Sequence, residues 1–306
     1  MIDIGLVASR LLQYIAATTL FGMALFPLYA YRGREPDRIF RWRGRLLFLA
    51  ALLAIVSGIA WFFFSVASMT GDVSGLLDPD TLLLAEHTSF GTLWTWRMLL
   101  ALLIVVLMSS GVTYVAGSVM ISLLAAVLLF SLAGTGHTQV EEGWAGIVHV
   151  LADVVHLLAA GAWLGGLLPL AYLVSHYCKT PDDVSPLDDV LVRFSGMGYL
   201  AVATLVGTGL INSWLLVGSV YALLTSGYGQ LLAVKLVLFI GMLGLAVANR
   251  FWLIPALEKS SAVACRSGTI DYLRQLRNHI VSEQLLGLLV LFVVSILGTM
   301  QPAIVP

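Results

Sequence analysis

The chain has 306 residues, of which 59% are apolar and only 11% charged, and its formal net charge is −1. Against the roughly 25% charged residues of an ordinary globular protein, this excludes a soluble enzyme, a disulfide-framed secreted module and a disordered chain, and makes a lipid bilayer the solvent. The charge balance argues against a nucleic-acid partner, which needs a strongly basic face; Cys178 and Cys265 are too few for a disulfide framework and neither belongs to a C-x-x-C motif.

A spanning helix needs about 20 largely apolar residues. Eight segments qualify, at 4–31, 43–69, 92–111, 113–135, 145–177, 190–218, 229–257 and 272–300. The first lacks a basic start and has no small-x-small cleavage site before the arginine cluster, so it reads as a retained helix rather than a signal peptide. Arg32, Arg34, Arg38, Arg41, Arg43 and Arg45 separate the first two spans, Lys179 and Arg193 the fifth and sixth, and Arg250, Lys259, Arg266, Arg274 and Arg277 the last two. The loops around 70–91, 136–144 and 219–228 contain no Lys or Arg. The positive-inside rule makes the basic side cytoplasmic. The expectation is an all-α polytopic membrane protein, a single domain over 1–306, built as a bundle of eight transmembrane helices with both termini on the outer side. The turn-rich segment 179–189 divides five helices from three.

Polar residues inside spans are the candidate functional groups, because each costs at least about 2.5 kcal/mol at the bilayer centre and should face protein or a wet cavity. His149, Asp153 and His156 stand at i, i+4 and i+7 on the fifth span, within roughly 60° on one helix face, and Trp163 continues the stripe deeper. A carboxylate between two imidazoles can orient a ring N–H or share a metal ion, which suits metal binding. His137 ends the fourth span close by and is expected to join them; His87, in the outer loop before the third span, is a weaker candidate. Single polar groups of this kind also serve merely as hydrogen-bonding ties between helices.

The remaining intramembrane polar residues read as structural. Arg10 and Arg97 are expected to snorkel outward or to neutralise Asp153, Glu141 or Glu142. Glu283 and His279 are expected to form a local i, i+4 pair, and Asn249-Arg250 to mark the end of the seventh helix. Gly161-x-x-x-Gly165 with Gly166, and Gly207-x-Gly209, would allow close helix approach. Met69, Met98 and Met300 could offer sulfur ligands but more often pack.

Gly136-His137, the stretch from His149 to Trp163-Leu164-Gly165-Gly166, Arg193-Phe194-Ser195 and Gly209-Leu210-Ile211-Asn212-Ser213-Trp214 follow one another in a recognisable order. Tyr228-Gly229-Gln230-Leu231-Leu232, Lys235-Leu236 and Ala248-Asn249-Arg250-Phe251 continue it. In these segments, strongest over about 130–260, the chain resembles the copper resistance protein D family of bacterial inner-membrane proteins. The resemblance implies copper homeostasis, with copper moved across the inner membrane, and a copper role for His137, His149 and His156. It also implies a separate small periplasmic copper-binding protein as partner, beside the lipid bilayer. Clustered imidazoles equally suit Cu(II), zinc or haem iron. The alternative is therefore a membrane redox protein with haem b held by two histidines from different helices, which would make it a haem-dependent oxidoreductase. No nucleotide-binding loop or Asp-Lys-Thr-Gly phosphorylation motif is present, which speaks against ATP-driven pumping by this chain alone.

Overall fold

The computed structural model describes all residues except 73–77, 111–113, 134–142, 180–184, 263–265 and 304–306. Among the described residues the regular elements are all helical: α1 Ile2–Ala30, α2 Asp37–Thr70, α3 Pro79–Glu86, α4 Ser89–Ser109, α5 Tyr114–Ala133, α6 Gly143–Tyr177, α7 Ser185–Val217, α8 Val220–Thr225, α9 Gly227–Ala248, α10 Ile254–Ala262 and α11 Arg266–Leu297. Eight spans are long and apolar enough to cross a membrane: α1, α2, α4, α5, α6, α7, the continuous stretch Gly227–Ser261, and α11. The eight predicted spans fall on them one for one.

Two short helices lie between spans. Asp78 caps α3, its carboxylate accepting from the Thr81 amide and hydroxyl, and Pro79 follows at the first helical position. Ser219 caps α8 in the same way. The seventh span does not stop at Asn249-Arg250. It passes through a single π-helical turn, Asn249–Leu253, in which the Ile254 amide reaches the Asn249 carbonyl, and continues as α10. Lys259 near its end is the residue of the basic loop, so charge marks where the chain leaves the apolar layer rather than where the helix ends.

Without a hydrophobic force between helices in lipid, close packing and small residues must hold the bundle. α1 does this at the centre, packing against α2, α5, α6, α7 and α11. Its crossing with α6 brings backbone to backbone: a Cβ on Gly22 would fall on the Gly161 carbonyl and Gly165, and one on Gly165 would fall on Thr18 and Gly22. The Gly161-x-x-x-Gly165 signal thus marks the tightest helix contact, whereas Gly207 faces open space.

The basic residues gather at one end of the bundle. Arg32, after α1, lies 3.9 Å from Asp189 of α7; Arg193 donates to the Tyr29 carbonyl; and Arg274 and Arg277 act on Cys178 after α6. Within this end Arg43 and Glu35, each 3% exposed at the side chain, form a bidentate pair with contacts of 3.0 and 2.8 Å to one oxygen, and Arg43 also donates to Ser118 at 3.2 Å. At the opposite end the Arg10 guanidinium of α1 occupies the space where a Cβ on Gly298, just past α11, would stand, so the start of α1 and the end of α11 lie together away from this basic cluster.

Candidate functional site

Polar groups from three helices meet in the half of the bundle away from the basic end. α6 supplies Asp153 and His156, α7 supplies Thr208 and Asn212, and α9 supplies Tyr228 and Lys235. Asn212 Nδ2 lies 3.4 Å from Asp153 Oδ1. The His156 ring meets Thr208 at 2.9 Å through Nδ1. Thr208 has one hydroxyl hydrogen, and its 2.6 Å contact with the Thr204 carbonyl uses it. The Thr208 oxygen therefore accepts from His156 Nδ1–H, which leaves Nε2 with the free lone pair, the form of imidazole that binds metals. Gly209, next in sequence, leaves room for the ring, whose Cε1 is 3.6 Å from where a Cβ would stand. Lys235 acts electrostatically on both Asp153 and His156, and Tyr228 feels Asp153.

Of the residues singled out from sequence, Asp153 and His156 are central to this cluster. His149 is on the same helix one turn before Asp153 and is 3% exposed. His87 belongs to another part of the bundle, exposed at the C-terminal end of α3, which rests on α4 and α2. His137 lies outside the described residues. Among those described, no three His, Cys, Asp or Glu side chains stand close enough to hold one ion. His149 and His156 are separated by about 10.5 Å of helix rise, so they cannot grip one small ion together. For the same reason they cannot be opposite axial ligands of one haem, a role that needs rings on facing helices.

The partners from α7 and α9 were not identified from sequence as members of this site. Asn212 and Lys235 enter the sequence reading only within the segments that carry the family resemblance, and nothing in a single sequence pairs Thr208 with His156 across 52 residues.

Two other expectations need correction. Arg10 and Arg97 do not reach outward. They are 6% and 0% exposed, both guanidiniums lie over the Trp61 ring at 5.0 and 4.8 Å, and Arg97 donates to Ser131 Oγ at 3.0 Å and to its carbonyl at 2.8 Å. The indole face lies against both cations, and the Ser131 hydroxyl and carbonyl take two of the Arg97 N–H groups, in place of a long excursion to water. Glu283 and His279 do not pair directly. Asn249 stands between them, donating to Glu283 Oε1 at 2.6 Å and meeting His279 Nδ1 through its Oδ1 at 2.9 Å, while the Trp163 indole also hydrogen-bonds Glu283. Met98 packs on Gly58 and Met300 lies near Gly227, both as filling.

Eight apolar spans enclosing a carboxylate, an imidazole and an ammonium define a polytopic membrane protein with a polar site inside its bundle. The profile described as "Copper resistance protein D-like, N-terminal domain" matches residues 1–147, and that of "Copper resistance protein D" matches residues 188–297. The chain belongs to the copper resistance protein D family. It is 34% identical to copper resistance protein D of Pseudomonas syringae pv. tomato, over 97% of this chain and 96% of that one. It is 28% identical to inner membrane protein YebZ of Escherichia coli (strain K12), over 97% of this chain and 98% of that protein. It is also 29% identical to copper transport protein CutJ of Bacillus subtilis (strain 168), over 80% of this chain but only 46% of CutJ. No solved structure matches it.

Proposed function

We propose that this chain carries copper across a bacterial inner membrane, entering from the side poor in basic residues and leaving at the arginine-rich, cytoplasmic side. The observation that carries the reading is the Asp153–His156 cluster: a metal-competent imidazole nitrogen and a carboxylate set between α6, α7 and α9 in a chain of the copper resistance protein D family. Copper is the cargo and His156 Nε2 its chief ligand, with Asp153 offsetting the cation's charge. His149, a turn and more above, serves as an earlier station, with His137 and His87 as capture sites nearer the entrance.

Lys235 gives the site its empty state. An unpaired buried carboxylate is costly, and a tethered ammonium nearby compensates it until a metal cation arrives. Asn212 holds one Asp153 oxygen in place and Thr208 holds the imidazole tautomer. A small periplasmic copper-binding protein would deliver the ion.

The test is copper uptake by proteoliposomes containing the purified protein. His156→Ala and Asp153→Asn should each reduce uptake by more than they reduce the amount of folded protein, and His149→Ala should chiefly weaken capture at low copper. Full uptake by all three variants at equal abundance would refute the reading.

A further inference from the structure

A second buried polar group, Glu283 of α11, meets α6 at Trp163, about two turns beyond His156, and the proposed copper path does not use it. Glu283 is 2% exposed, and among the described residues none of the ion pairs includes it. Its hydrogen bonds come from neutral donors, Asn249 Nδ2 at 2.6 Å and the Trp163 indole. It borders a cavity of about 110 Å³, room for several water molecules. The walls include Trp163, Ser195, Tyr199, Asn249 and Arg250. The rest of the wall is mostly apolar, so water in the cavity is held by these few polar groups and Glu283. A carboxylate at membrane depth with no cation in direct contact and water within reach is the arrangement of an ion relay rather than of a packing tie.

The geometry points to Glu283 as a proton-exchange site, loaded and unloaded through water in this cavity toward the basic end of the bundle. The inference rests on the transport reading above.

Three features select a proton over a second copper station. The carboxylate is a hard ligand, and no three His, Cys, Asp or Glu side chains among those described gather there. Arg250 stands in the cavity wall, where a bound copper ion would add positive charge beside it, whereas protonation leaves Glu283 neutral. The π-helical turn that begins at Asn249 lets that residue face α11 and hold Glu283 while the helix continues, and such turns recur at functional positions.

The charged and titratable groups around Glu283 are few. α9 and the π turn bring Arg250, whose Nε reaches Tyr199 of α7 at 3.3 Å. α11 brings His279, which touches it only through Asn249, and α6 brings only the Trp163 indole. Because α9 bears Lys235 and runs directly into the turn that holds Asn249, movement of that helix on copper binding would reach Glu283 through Asn249. The step is the making and breaking of one O–H bond: the carboxylic acid gives its proton to cavity water as copper passes inward and takes one back afterwards.

The test uses the full chain in lipid and infrared difference spectra recorded as pH is changed. The wild type should show a carboxylic acid C=O band that titrates, and Glu283→Gln, which keeps an oxygen for Asn249 and Trp163, should lose that band. Glu283→Asp should keep it at a shifted frequency. In proteoliposomes, copper uptake by the wild type should change at least about tenfold with the direction of an imposed pH difference, and Glu283→Gln should lose that response. Identical spectra for wild type and Glu283→Gln overturn the proton site whatever the protein transports. A wild type that takes up no copper, yet loses the band in Glu283→Gln, overturns the transport reading and leaves the proton site standing.

Discussion

Thr208→Val replaces a hydroxyl by a methyl of nearly the same shape at the contact that fixes the His156 ring. The cost in stability is one interhelical hydrogen bond, 2.9 Å long, worth about 0.6 kcal/mol on average within a membrane bundle, so the folded population should change by less than about threefold. The cost in metal binding is larger, because removing the group that orients a ligating imidazole typically lowers affinity or activity by about 10–100-fold. Copper uptake by proteoliposomes, normalised to monodisperse protein, should therefore fall by about tenfold or more, with the loss greatest at low copper. Thr208→Ser restores the hydroxyl and should recover most of the uptake. If Thr208→Val and Thr208→Ser both match the wild type, the ring needs no orientation from Thr208 and the role given to His156 Nε2 is wrong.

Breaking the Arg43–Glu35 pair with Arg43→Met should destabilise the protein by about 3–5 kcal/mol, since Glu35 is left buried without its cation; the double variant Arg43→Met with Glu35→Leu should recover most of this in unfolding measurements in detergent. Single cysteines at Asp80 and Arg38, in a chain without Cys178 and Cys265, should react with impermeant reagents from opposite sides, Asp80 from the periplasm; reaction of both from one side would break the topology, and reaction of Asp80 from the cytoplasm would invert it. The Thr81 hydroxyl holds the Asp78 carboxyl below its ordinary value of 3.8, so its contribution to the α3 cap is present above that value and is lost as pH falls through the lowered one. Hydrogen exchange of α3 amides should rise on that acid limb, and the dependence should disappear in Asp78→Asn.

The spans were legible because lipid imposes the same demand along every crossing, and hydropathy reports it directly. The short helix α3 lies in a stretch that hydropathy leaves as a loop, although Asp78-Pro79 is a sequence-level start signal. The Asn249-Arg250 boundary failed because a basic residue marks the surface of the apolar layer, and a helix can run past it. Within the site, the α6 face of His149, Asp153 and His156 followed from helical spacing alone. What Asp153 and His156 touch did not: Thr208, Asn212, Tyr228 and Lys235 arrive from other helices, and only packing sets that registry. The Glu283–His279 spacing correctly brought both to one face, but spacing does not reveal that Asn249 of another helix comes between them.

The glycine crossing of α1 and α6 also limits how the protein can change shape. Backbones in contact have no side chains to repack, so sliding either helix would drive main-chain atoms into each other or open a void with nothing to fill it. Of the most apolar stretches, 56% of α1 and 67% of α6 is enclosed by protein, against 17% of α7 and 11% of the span that contains α9. The Asp153–His156 cluster thus joins a rigid half to helices that face mostly lipid. On the transport reading proposed above, opening the site to one side and then to the other costs least when α7 and α9 swing against a fixed α1–α6 spine, carrying Thr208, Asn212 and Lys235 away from Asp153 and His156.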